Sequence, residues 1–333
     1  MGSMWDIGRK QIEDSFSSKK FLLILGLFLA LSMGSVYMGV DEYNQQMENF
    51  EGGNSYGPVP EKPSLIDVFG PLVGLNLPLA AAILALLLSY DSISREREEG
   101  TIELLLSYPV YRDEIINGKF VAGLFTVATA LLIAFTASSG LAIYLTGVLP
   151  SAEQVFRLIF LWQGSIVYMA FFFGLGTLLS VILNSSWKSL ISGLVILLLF
   201  LATPLLANMA AGTIYPMDTG TSGGHVARSV AVSGSSGDVA VARPPGMEDE
   251  QDRRQQILDR REKFVDSVSK FSATTSFQNF ASTMLGTDYD GETGLKPTVW
   301  ENLRSAFGYL IFLLSETMLA FTGAYTLFMR QDL

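Results

Sequence analysis

The sequence predicts an all-α membrane protein that crosses the bilayer six times, and three observations lead there. Of the 333 residues, 49% are apolar and only 16% charged, with 22 phenylalanines, which is too little charge for a soluble domain of this length. The apolar residues gather into runs that reach the roughly 20 residues a helix needs to cross about 30 Å of hydrocarbon. The Lys and Arg of the short connections fall almost wholly on one side.

The six spans are placed at about residues 21–40, 66–90, 120–149, 156–183, 190–211 and 305–329. One side carries Arg9, Lys10, Lys19, Lys20, Arg95, Arg97, Arg112, Lys119, Lys188 and Arg330, against Lys62 and Arg157 in the short loops of the other. The positive-inside rule then sets both termini in the cytoplasm. Met1-Gly2-Ser3 reads as an expression remnant ahead of Met4, and no cleavable leader is expected. Residues 4–20 carry Trp5, Ile7, Ile12 and Phe16 among basic residues, which suits a helix lying on the cytoplasmic surface. Residues 21–211 hold the first five spans, and residues 305–333 hold the sixth and the C-terminal tail.

Between them, residues 212–304 form an outer loop, placed outside by parity. Its part 218–246 is rich in Gly, Ser, Ala and Val and reads as a flexible linker. From Met247 to Phe271 charges alternate in sign around Ile257, Leu258, Phe264, Val265 and Val268, the spacing of an amphipathic helix. A second short helix is expected over Phe277 to Leu285, then a turn-rich stretch from Thr287 to Pro297. With the acidic, Gly- and Pro-broken connection 41–64, these form a modest outer cap.

Composition also excludes functions. The absence of cysteine removes disulfides and thiolate metal sites, and a single histidine, His225, removes multi-His metal sites and a Ser/His triad. A net charge of −10 argues against a nucleic-acid partner. Glu316 lies near the middle of the sixth span, where an ionisable group costs about 2.5 kcal/mol or more and is a functional candidate by default. The competing reading is a neutral carboxyl that only fixes helix packing. Gly164, Gly174 and Gly176 give the fourth span a small-residue face for close packing. Pro71 and Pro78 kink or break the second.

The most informative stretch joins the second and third spans: SYDSISREREEGTIELLLSYPVYRDEIINGKF. Arg95-Glu96-Arg97-Glu98-Glu99 is a solvated helical end. Gly100 can take the left-handed conformation that stops it, and Thr101 can cap a new short helix. That helix presents Ile102, Leu104, Leu105 and Leu106, too short to span, and Pro109 ends it. An apolar helix ringed by charge is a docking surface or an interfacial anchor.

The pattern E-x-G-T-I-E-L-L-L-S-x-P-V-x-R-x-E-I-I-x-G-K, from Glu98 to Lys119, resembles the signature between spans two and three of type-2 ATP-binding-cassette (ABC) transporter permeases. The opening IGRKQIEDSFSSKKFLL is similar to that family's basic interfacial helix. The chain looks closest to members with a large outer loop before the last span, the group that includes the copper-site assembly permeases.

The resemblance implies the membrane half of an ATP-driven exporter, not itself an enzyme. Its partners would be two copies of an ATPase subunit, a second permease copy (the same chain or a related one) and membrane lipid. ATP and Mg would enter through the ATPase; no cofactor is expected in this chain, and no G-x-x-x-x-G-K-[ST] loop is present. Residues 98–119 would hold the coupling helix, with Glu98, Gly100, Thr101, Glu103, Leu104, Leu105, Pro109 and Arg112 as coupling residues. The expected location is the cell membrane and the expected substrate hydrophobic or amphipathic. Without Cys or clustered His, direct copper binding is disfavoured. An ion-coupled carrier or a membrane-integral enzyme using Glu316 is the alternative; a carrier would usually show internal repeats, and an enzyme needs a second polar group at depth.

Overall fold

The computed structural model describes residues 9, 12–13, 16–52, 62–100, 112–183, 185–216, 247–286 and 297–330. Among them six helices are long and apolar enough to cross a membrane, and every regular element is helical. The first is α1 (Lys19–Glu51). The second span is composite: a 3₁₀ turn (Leu65–Phe69), a π turn (Leu72–Asn76) and α2 (Leu77–Ser89), followed by the short α3 (Ser94–Glu98). Then come α4 (Arg112–Thr146), α5 (Ala152–Ile182), α6 (Ser186–Ile214), α7 (Met247–Ser269), α8 (Ala273–Leu285) and α9 (Val299–Arg330). Segments 218–246 and most of 287–297 lie outside the described residues.

Several boundaries have local causes. Ser18 is extended (φ −75°, ψ 130°) and accepts from the Phe21 N–H at 3.1 Å, so α1 begins with a capped break from the residues before it. Of the expected interfacial helix 4–20, the described part shows an Arg9–Glu13 ion pair of 2.9 Å and the Phe16 ring 5.0 Å from Phe21. Trp5 and Ile7 lie outside the described residues. At the other end, α1 runs past residue 40 to Glu51, so the first part of the expected loop 41–64 is helix. Ser151 and Gln154 form a reciprocal capping box at the start of α5.

The chain divides into two units, residues 202–269 and the remainder. In the larger unit α5 is the central helix, and its glycines each seat a different neighbour. A side chain at Gly164 would strike the Phe280 ring of α8, and one at Gly176 would strike the Ser89 hydroxyl of α2. At Gly174 an added Cβ would touch the Ala320 Cβ of α9 at 3.4 Å. Close packing through small residues is how spanning helices associate without a hydrophobic drive between them. Likewise Gly39 of α1 leaves room for the Val68 carbonyl. In the smaller unit α7 lies along the end of α6. Arg261 Nε donates to the Ala211 carbonyl at 3.4 Å, and the Tyr215 and Phe264 rings are 6.3 Å apart.

Helix α8 contains the short helix expected over 277–285 and starts one turn earlier. It begins at Ala273, and its first turn is buried rather than solvated. The Ser272 hydroxyl caps it, accepting from the Thr275 N–H at 3.4 Å, and donates to the Phe200 carbonyl of α6 at 3.0 Å. Thr274 lies 3.3 Å from the hydroxyl of Tyr168, midway along α5, and Phe277 stacks on the Tyr168 ring at 4.5 Å. From there α8 runs toward the start of α5 and ends at Gly286, left-handed at φ +76°. It thus packs along the first half of α5. Only its first turn, Ala273 to Ser276, falls outside the helix expected from the sequence, and the small and hydroxyl-bearing residues there let it pack closely.

Arg157 fastens its far end. Counted with the loops on sequence, it sits in the second turn of α5 and is buried. Its guanidinium donates to the Met284 carbonyl (3.2 Å), the Pro297 carbonyl (2.6 Å) and Glu153 (2.8 Å). A buried cation needs such partners, and here they tie α8 and the start of α9 to α5.

Candidate functional site: the polar junction after the second span

Of the expected coupling residues, Glu98 and Gly100 are described, Arg112 is described as the first residue of α4, and Thr101, Glu103, Leu104, Leu105 and Pro109 lie outside the described residues. Gly100 is left-handed at φ +69°, the conformation that stops a helix, and it follows directly on the capping residue of α3.

The root of this connection, Tyr90 to Gly100, is built into the ends of four other helices. α1 supplies Lys20, whose ammonium pairs with Asp91 at 2.9 Å and lies 4.2 Å over the Tyr90 ring. α4 supplies Lys119, buried, 2.6 Å from Glu96 and donating to the Ser92 carbonyl at 2.5 Å. α5 supplies Ser180. Its buried hydroxyl accepts from the N–H groups of Ile93 (2.9 Å) and Ser94 (2.8 Å). Ile93, the residue before α3, has no side-chain cap of its own, so Ser180 caps that helix from another span.

A chain of hydroxyls continues from there. Ser180 donates to Ser94 Oγ at 3.1 Å, and Ser94 Oγ lies 3.0 Å from Ser186 Oγ at the start of α6. Glu98 closes the chain, accepting from the Ser186 N–H at 2.8 Å and its hydroxyl at 2.9 Å. Glu98 stands beyond the apolar part of the span, and these donors, the backbone N–H foremost, hold its pKa below the usual carboxylate value. The tie is complete at neutral pH and weakens as the pH falls through that lowered pKa. Arg97 donates to the Val181 carbonyl at 3.2 Å. Beneath the polar layer, Ile93, Ile116, Val181, Ala324 and Phe328 form a buried apolar cluster that includes the end of α9.

Sequence reasoning singled out Glu98 and Gly100 and passed over Ser180, Ser94 and Ser186. Serines at span ends are commonplace, and only their convergence marks them. Lys20 and Lys119 were legible as charges on one side, not as partners of Asp91 and Glu96.

Glu316 is separate from this junction. It is half-buried on α9, and its Oε2 is buried with no hydrogen-bond partner among the described residues. The neighbouring Thr317 hydroxyl donates to the Leu313 carbonyl at 2.8 Å and approaches the Val167 carbonyl of α5 at 3.3 Å.

Comparison with known proteins agrees with this architecture. Two relatives carry the name "Probable ABC transporter permease protein NosY". The one from Stutzerimonas stutzeri is 35% identical over 149 residues, 44% of this chain and 49% of the relative. The one from Pseudomonas aeruginosa is 34% identical over 158 residues, 47% of this chain and 51% of the relative. Each match therefore spans about half the relative's length. The model of the ABC-2 family transporter proteins matches residues 5–333. With six membrane-crossing helices and a family match along nearly its whole length, this chain belongs to the ABC-2 transporter family.

Proposed function

We propose that the chain is the permease subunit of an ATP-driven exporter in which residues 98–119 seat in a groove of a separate ATPase subunit. One observation carries this reading: the root of that connection is hydrogen-bonded or ion-paired to α1, α4, α5 and α6 at once. A displacement of the connection is then borne by the whole bundle and not absorbed by a loose loop. The leucines at 104 and 105 would fill the groove, and the charges around them would pair with its rim. Two ATPase copies and a second permease would complete the transporter in the cell membrane, with both termini of this chain cytoplasmic. ATP and Mg would bind the ATPase. An amphipathic or hydrophobic substrate suits the apolar, phenylalanine-rich bundle.

Co-expression with the ATPase subunit tests the reading. The complex should purify together and hydrolyse ATP, and Leu104→Asp with Leu105→Asp should release the ATPase. Stable isolation of the permease with no ATPase association under any condition would sink it. The buried oxygen of Glu316, without a hydrogen-bond partner among the described residues, favours the second reading, an ion-coupled carrier. Glu316→Gln separates the two: ATP-driven turnover within about twofold of the parent, less than half a kcal/mol in barrier, removes Glu316 from the mechanism.

A further inference from the structure

Helix α7 carries its charges on separate sides. At about 100° per residue, Arg253, Gln256, Ile257, Arg260 and Phe264 share one side, and Asp259, Glu262 and Asp266 fall on the far one. A helix laced for solvent sets acid and base three or four residues apart, where they pair. Arg260 has no acid at either spacing: Gln256 and Ile257 precede it, Lys263 and Phe264 follow. Neither Arg253 nor Arg260 makes an ion pair among the described residues. In a chain of net charge −10, two such arginines on one helix side are an exception.

The basic side is the one turned to the end of α6. A cavity of about 320 Å³ opens there, with Ile214, Tyr215 and Pro216 on one wall and Arg253, Gln256 and Arg260 on the other. Every polar side chain in that lining can donate: two guanidiniums, an amide and a phenol. No carboxylate lines it. The two arginines stand one heptad apart, roughly 10 Å along the helix, within reach of a common group. Their planar forks match the oxygens of a phosphate, which would also relieve the repulsion between them.

The depth of the cavity says which phosphate. α6 is apolar and long enough to cross the bilayer, and it ends at Ile214. The Tyr215 N–H still bonds the Ala211 carbonyl at 2.9 Å, so the helix carries on into the cavity wall. A tyrosine just past an apolar span marks the level of the lipid headgroups. Leading up to it, Leu206, Ala210 and Ile214 form a ridge of i, i+4 neighbours, with Leu206 51% and Ile214 53% exposed. A free phosphate would use the cavity alone, whereas a phospholipid uses both cavity and ridge.

From this we infer that the cavity between α7 and the end of α6 binds an anionic phospholipid, Arg253 and Arg260 holding its phosphate and Leu206 and Ile214 bordering its chains. The site stands apart from the transporter reading and needs only that α6 crosses the bilayer. In the proposed topology it serves the outer leaflet.

The chain contains no cysteine, so one introduced thiol reports alone. Thr213→Cys, an exposed position next to Ile214, carries an environment-sensitive fluorophore on the full-length protein in detergent. Dioctanoyl phosphatidylglycerol should shift the fluorescence to saturation. Arg253→Gln with Arg260→Gln should raise the half-saturating concentration about tenfold, and dioctanoyl phosphatidylcholine, of no net charge, should bind about tenfold more weakly to the parent. Equal half-saturation in either comparison overturns the proposal. Inorganic phosphate at the same concentrations should leave the probe unchanged; saturation by it would assign the cavity to a soluble anion and overturn the lipid. An acidic protein held by the arginines, with phosphatidylglycerol silent, would make this side of α7 a protein contact and overturn it too. Should the double variant fail to accumulate folded, the parent alone decides. Its half-saturating concentration of phosphatidylglycerol should rise about fivefold between 50 and 500 mM NaCl, and salt-independent binding overturns the proposal.

Discussion

At the scale of single residues, the Ser180 hydroxyl concentrates three contacts in one atom, two accepted and one donated. Removing it leaves two buried N–H groups without their acceptor. Ser180→Ala should therefore cost about 1–3 kcal/mol, read as a lowered midpoint of thermal or denaturant unfolding. In the proposed ATPase complex it should also weaken ATP hydrolysis more than ATPase binding, because the proposed docking surface stays intact while its root loosens. A matching midpoint and unchanged hydrolysis would show that the cap contributes nothing. Glu98 and Gly100 were legible in the sequence because a charged helical end followed by glycine is a local pattern. Ser180 was not, because its partners lie 86 and 87 residues away.

At the scale of elements, the informative pair is α5 and α8. The small-residue face of α5 was readable as a packing surface, but nothing local says that Gly164 receives Phe280, Gly174 the Ala320 methyl of α9 and Gly176 the end of α2. Gly164→Leu would drive a branched side chain into the place of the Phe280 ring. It should destabilise the protein by about 1–3 kcal/mol or expel α8 from its seat. The second outcome would be visible as protease cleavage near the buried Ser272 in the variant beyond that of the parent; a fully protected α8 with an unchanged midpoint would contradict this packing. The composite second span shows the same division. Pro71 and Pro78 announce a break, whereas the Gln278 amide that donates to the Gly74 carbonyl within it belongs to an element 204 residues further along.

At the scale of the whole molecule, the proposed orientation makes a prediction that needs no knowledge of substrate. Gly52 and Glu99 each follow the C-terminal end of their helix, so cysteines placed singly there face opposite sides in the proposed topology, in which the first and second spans run in opposite directions. An impermeant thiol reagent should label position 52 in intact cells and position 99 only after permeabilisation, and the reverse pattern would invert the topology. The exposed apolar faces of α1 (Leu23, Leu27, Met38) and α9 (Phe307, Met318, Leu319) suit lipid or a second copy. By itself the sequence determined the six helices, their approximate bounds, the basic ends and the family, since span length, helical period and a contiguous motif are local properties of a chain. The tertiary structure alone decided that α8 packs along α5, that Arg157 is buried and that Ser180, Lys119 and Lys20 converge on the root of the connection. Such contacts join residues far apart in sequence, and whether a polar group meets a partner or a solvent is settled only when the helices pack.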